Sequence, residues 1–236
     1  MENDLKILEG HSDLEKGAYL GAIASIATAD RIASEEEMEY LSDLCSAAEL
    51  SERQKNAVIQ AASDESGKDL TECLDVLKKS DLKYSLVTDL MSFAKADGDY
   101  TQDEQLNVDK ISKYLGVNDH QSSLLDEFSD KASTVEAEPA EMTKPGFLSS
   151  LGLKEKMQNA GINPNGFLKG LLGIAAPMIL TGMLTRGMRR GNSAGFSGGT
   201  SALGGGGLGS LIGMLSGGRS MNNSGGLFGR VLGGGF

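Results

Sequence analysis

The chain has no tryptophan, two cysteines, two histidines and four prolines in 236 residues. Cys45 and Cys73 alone make neither a disulfide framework nor a zinc cluster. Both fall on apolar stripes, where a free cysteine behaves as a small buried hydrophobe. His11 and His120 stand far apart, and no Ser/His or Cys/His arrangement accompanies them, so an enzyme of the usual acid–base type is not expected. The opening MENDLKILEG is acidic and lacks an apolar run, so no secretory signal is read and reducing cytoplasm is the expected compartment.

Two further scarcities divide the chain. Residues 1–143 hold 32 acids, 13 bases and only six glycines, a net charge of −19. Residues 144–236 hold one acid, nine bases and 26 glycines, a net charge of +8. An acidic first half without a basic footprint excludes nucleic acid as its partner. Four segments follow: an acidic bundle at 1–132, a flexible linker at 133–146 with Pro139 and Pro145, an apolar and basic helical segment at 147–190, and a glycine-rich tail at 191–236.

What the first half does contain is apolar residues at spacings of three and four, with no useful alternation of period two. Leu41, Leu44, Cys45 and Ala48 form one stripe; Leu70, Cys73, Leu74 and Leu77 form another. Start signals precede them. Ser12 with Glu15, Ser34 with Glu37, Asp69 with Glu72 and Thr101 with Glu104 have the capping-box spacing, and Ser51 and Asn118 stand three residues before Gln54 and Gln121. The pattern predicts helices near 13–29, 35–48, 52–63, 70–79, 81–96, 102–115 and 119–130. Short connections make neighbours antiparallel. The fold class is all-α.

An offset of 67 aligns residues 19–51 with 86–118. Ser25, Ala27, Ala29, Asp30 and Glu37 fall on Ser92, Ala94, Ala96, Asp97 and Glu104. Two three-helix units joined by the helix at 70–79 therefore make one seven-helix bundle, followed by a glycine-rich, partly helical tail.

The repeated turns, IATADRIASEEEMEYL and FAKADGDYTQDEQLNV, carry the candidate site. In each, an Asp closes one helix and a Glu seven residues on opens the next. Clustered carboxylates suit hard cations such as Ca²⁺ or Mg²⁺. The second turn offers Asp97, Asp99, Asp103 and Glu104, with Gly98 easing the backbone; the first offers Asp30 and Glu37. The spacing is not that of an EF-hand, lacking Gly at position six and Glu at twelve. The same residues have a plainer explanation: acids in a first helical turn interact favourably with the helix dipole, and Asp30 and Asp97 suit turns.

Ala96-Asp97-Gly98 through Glu104, after an alanine-rich helix, resembles the TerB-like, tellurite-resistance family. The likeness extends over residues 12–130, including the helix count and the repeat. The first copy, Ala29-Asp30-Arg31 through Glu37, departs by placing Arg31 where the pattern has Gly. The resemblance implies an all-helical domain with an acidic, metal-binding surface in stress-response or membrane-linked complexes. It favours Asp97 and Glu104 over Asp30 and Glu37 as ligands, since Arg31 can take a cation's place. Tellurite resistance as such is not implied.

Beyond the linker, 147–158 suits a short helix, and Asn163-Pro164 a helix start. Residues 170–185 are uncharged, short of the roughly 20 apolar residues a spanning helix needs, and Pro177 should kink them. Lys169, Arg186, Arg189 and Arg190 suit an anionic lipid surface. Gly166, Gly170 and Gly173 equally suit close helix contacts and self-association. The last 46 residues contain 18 glycines, yet Leu208, Leu211, Ile212 and Leu215 keep helical spacing, as do Leu227, Phe228, Val231 and Leu232. The stretch 147–218 resembles the glycine-rich YidB-like bacterial proteins, which implies an assembly or envelope-linked role.

The sequence thus reads as a non-enzymatic bacterial adaptor, cytoplasmic and peripheral to the inner membrane. A divalent-cation-binding bundle is docked to membrane or a protein partner by residues 147–236. The alternative is a self-assembling scaffold or coat component whose tail polymerises and whose bundle decorates the assembly.

Overall fold

In the computed structural model the described residues are 6–27, 35–63, 67–95, 102–135, 139–144 and 146–173. They are helical throughout, without a strand. Seven helices stand close to where the spacing predicts them: α1 Asp13–Ala27, α2 Glu35–Ala47, α3 Glu52–Ala61, α4 Lys68–Leu77, α5 Leu82–Lys95, α6 Gln102–Tyr114 and α7 Asp119–Ser133. Four shorter ones follow: α8 Pro139–Met142, α9 Gly146–Ser150, α10 Lys154–Asn159 and α11 Pro164–Gly170.

Two helices are central because they are apolar on most sides. On α1, Ala18, Tyr19, Leu20, Ala22, Ile23 and Ala24 are buried, and α2, α3, α4 and α5 all pack on it. On α5, every residue from Tyr84 to Met91 is buried, with α1, α6, α7 and α11 around it. The amphipathic helices lie outside, each with one apolar face inward.

Three of the predicted start signals are met, and those of Ser34 with Glu37 and Thr101 with Glu104 lie outside the described residues. Ser12 donates from its N–H and Oγ to Glu15 Oε2 at 2.9 and 2.7 Å, and its Oγ accepts from the Glu15 N–H at 3.3 Å. Asn118 and Gln121 form the reciprocal box on α7, at 3.1 and 2.9 Å. Ser51 caps α3 through the Gln54 N–H. Asp69 is different: α4 starts two residues earlier than predicted, at Lys68, capped by Gly67 in the left-handed region (φ 73°) with no side-chain cap.

The 67-residue offset is visible in the backbone. α2 and α6 both start and end 67 residues apart, and so do the starts of α3 and α7. Glu49 (φ 56°) and Gly116 (φ 73°), also 67 apart, take the same left-handed position after α2 and α6. Each is followed by a residue whose N–H returns to the last turn, Leu50 to the Cys45 carbonyl and Val117 to the Ser112 carbonyl, both at 2.9–3.0 Å. Ser25 donates to the Ala61 carbonyl of α3, while its counterpart Ser92 meets Ser129 of α7.

The core does not end at the expected linker. Phe147, Leu148, Leu153, Met157, Ile162, Phe167, Leu168, Leu171 and Leu172 are buried in the same apolar cluster as α1 and α5. Within the span read as a flexible linker, α7 continues to Ser133 and α8 forms a helical turn. Residues 146–173, placed by composition in a separate segment, thus lie on the bundle. Their apolar side chains need somewhere to bury, and α5 and α7 supply it. Residues 174–236, including the predicted glycine-rich tail, lie outside the described part.

Candidate functional site

The two acidic turns connect α1 to α2 and α5 to α6. Asp30, Asp97 and Asp99 lie outside the described residues. Glu37 occupies the third position of α2, and Asp103 and Glu104 the second and third of α6, so Glu37 and Glu104 hold equivalent places at helix starts. Their side chains lie outside the described part as well. Among the described residues no group of three or more His, Cys, Asp or Glu converges as a metal site. Beside the second turn, Lys95 at the end of α5 reaches Asp126 and Asp130 of α7 at 2.5 and 2.6 Å.

Both thiols are core groups. Cys45 is buried, and burial pushes its pKa up to about 11. Cys73 is half-buried against α1, where a Cβ on Gly21 would stand 2.9 Å from its Sγ; burial and then Asp69 and Glu72 push it up to about 12. Neither is a ready thiolate at neutral pH.

The polar centre of the core was not foreseen from the sequence. Asp89 of α5 is 1% exposed. Its Oδ2 accepts from the Tyr19 hydroxyl of α1 at 2.6 Å and from the Leu172 N–H at 2.8 Å; its Oδ1 accepts from the Gly173 N–H at 3.2 Å. Burial pushes its pKa up to about 7, against the three hydrogen bonds, which pull it down. Burial, and then the same carboxylate, hold the Tyr19 phenol well above its ordinary range. The available signal was a lone acid inside the apolar run Leu86-Val87-Thr88-Asp89-Leu90-Met91.

Residues 146–173 are seated by other paired polar groups too. Ser85 donates to the Phe167 carbonyl at 2.9 Å, Gln121 Nε2 to the Ala160 carbonyl at 2.9 Å, and Lys131 Nζ to the Leu151 carbonyl at 2.9 Å. Phe128 meets Phe147 and Phe167 edge to face, with centroids 6.3 and 5.0 Å apart. Among the described residues no buried side-chain polar atom lacks a partner.

An all-helical domain around two apolar central helices, with paired acidic turns, is the class this architecture defines. The family model described as Tellurite resistance protein TerB matches residues 16–127. That part of the chain is similar to the TerB family, as the repeated acidic turns suggested. No curated protein and no solved structure matches the chain. Among the described residues no helix is long and apolar enough to cross a membrane.

Proposed function

We propose that the protein is a non-enzymatic adaptor in which the TerB domain carries a cation-responsive acidic surface and residues 174–236 dock it to a membrane surface or a protein partner. The observation that carries this reading is the seating of residues 146–173 in the core of the bundle. It ties the TerB domain to a fixed point from which the basic, apolar, glycine-rich remainder departs. Arg186, Arg189 and Arg190 supply attraction to anionic lipid, and apolar residues at helical spacing supply burial. The acidic turns supply the cation site, with Asp97, Asp99, Asp103 and Glu104 ahead of Asp30 and Glu37 as ligands for Ca²⁺ or Mg²⁺.

Vesicle flotation tests the docking. The full chain should float with vesicles rich in anionic lipid, and a chain ending at residue 173 should not. Equal flotation of both removes the membrane reading. Sedimentation of the full chain without lipid, lost in the shorter chain, favours the scaffold instead. Calcium and magnesium titration of the full chain, with Asp97→Asn and Glu104→Gln combined, tests the turns. Unchanged binding in the double variant leaves those carboxylates as helix-start groups only.

A further inference from the structure

Asp89 lies outside both acidic turns, and nothing in the adaptor reading uses it. We infer that the Asp89–Tyr19 pair is a buried latch for the end of the described C-terminal segment, holding the Leu172 and Gly173 N–H groups on the bundle when the latch is closed and releasing them when it opens.

Three observations converge on this. First, the three donors come from two separate parts of the chain: the Tyr19 hydroxyl of α1, and two successive backbone N–H groups beyond α11. A buried carboxylate facing N–H groups 83 and 84 residues away is a long-range tie rather than local turn chemistry. Second, the repeat shows where the second unit departs from the first. At the 67-residue offset, Ala18, Ala22 and Ala61 of the first unit become Ser85, Asp89 and Phe128. All three replacements touch residues 146–173. Third, those residues lie beyond the 16–127 span of the TerB match. The second unit is thus adapted to a segment that the matched domain does not include.

The latch also has a proton dependence. No cation pairs with Asp89 among the described residues. Of the elements packed on α5, α1 turns the Tyr19 hydroxyl to it, while its Lys16 ammonium goes to the Ala48 carbonyl. Lys169 of α11 faces Glu9 at 3.8 Å. Asp126 and Asp130 of α7 are engaged with Lys95, and Asp109 and Lys110 of α6 are exposed. Lifting Leu172 and Gly173 lets water reach the carboxylate and returns it toward the ordinary range of about 3.9. Seated, it titrates at about 7. A carboxyl that holds its proton more tightly when seated favours seating in acid. Closure therefore weakens as pH rises toward 7 and is level above it.

Amide hydrogen exchange on the full chain, corrected for the intrinsic pH dependence of exchange, tests this. Amides of α1 and α4 serve as the internal reference. In the wild type, opening at Leu172 and Gly173 should be about tenfold more frequent at pH 8 than at pH 6, with the reference amides unmoved. Asp89→Asn should abolish that pH dependence. Asp89→Ala should abolish it too, raising opening about tenfold over the wild type at pH 8 and about a hundredfold at pH 6, as loss of hydrogen bonds to a charged group on top of the lost proton linkage does. Tyr19→Phe, which removes one donor from the ionised form, should move the midpoint to higher pH. A wild type without pH dependence, or Asp89→Asn that retains it, overturns the latch. So does an Asp89→Ala chain in which the reference amides open as much as residues 172 and 173, because Asp89 is then general core support. If Asp89→Ala does not fold, Asp89→Asn and Tyr19→Phe decide the matter.

Discussion

Glu49 occupies a backbone conformation that its counterpart Gly116 takes without cost. At φ 56° a Cβ crowds the following carbonyl, and glycine relieves this. The Glu49–Lys6 ion pair at 2.7 Å is exposed and offsets little. Glu49→Gly should therefore raise stability by about 0.5–1 kcal/mol, read from urea denaturation, while Gly116→Ala should lower it by about 1 kcal/mol. Glu15 gives a residue-scale pH dependence. Hydrogen bonds from Ser12 and Ser80 hold its pKa down at about 2. A depressed carboxyl contributes stability above its unfolded pKa and loses it as pH falls through the folded value. Stability should decline between about pH 4.5 and 2, and Glu15→Gln should flatten that slope in acid denaturation.

At the scale of elements, α11 depends on one glycine. A Cβ on Gly170 would collide with Ser85 Oγ and stand 2.8 Å from Leu82 Cδ2. The small-residue spacing of Gly166 and Gly170 was read as a contact between copies of a helix. For Gly170 the structure supplies a contact within the chain, against α5. Gly170→Ala should cost about 1–3 kcal/mol and loosen residues 164–173 first, measurable by amide exchange. Gln121 links two elements, since it completes the α7 cap and donates to the end of α10 at Ala160. Gln121→Ala should cost more than the roughly 1 kcal/mol typical of a lost cap, and a thermal melt beside Asn118→Ala would show the difference.

The element pattern explains what was legible in the sequence. Strong 3.6 periodicity and cap residues located α1 to α7 to within a few residues, because local chemistry sets helix starts. Asp69 misled because a glycine can occupy a cap position without offering a side chain. Asp89 and the seating of residues 146–173 were not legible because both depend on pairing between residues 20 to 84 apart in sequence. Net charge also concealed the seating. A basic segment beside an acidic bundle invites an electrostatic account, whereas the segment is held mainly by buried leucines, phenylalanines and side-chain to backbone hydrogen bonds, with Lys156–Glu127 and Lys169–Glu9 as exposed ion pairs beside them. The repeat made Asp97 and Glu104 conspicuous, and the break in that repeat at Asp89 and Phe128 carried the information about the C-terminal segment.

At the scale of the molecule, the TerB match and the physical core have different ends. A chain ending at residue 143 loses Phe147, Leu148, Leu153, Met157, Phe167 and Leu168 from the core. It should melt well below the full chain and expose apolar surface to a hydrophobic dye. A chain ending at residue 173 should retain the full chain's denaturation midpoint. Equal midpoints for both truncations would mean that residues 146–173 add nothing to stability.

This mismatch has a consequence during synthesis. The chain leaves the ribosome N-terminus first, at roughly 5–20 residues per second. Residues 16–127 are fully translated while the α5–α7 face still lacks its cover. For a few seconds that face is open to whatever else is nascent nearby, a second copy of the same chain included. Residues 146–173 therefore act on the rest of the protein as a built-in escort, arriving late and closing the surface behind them.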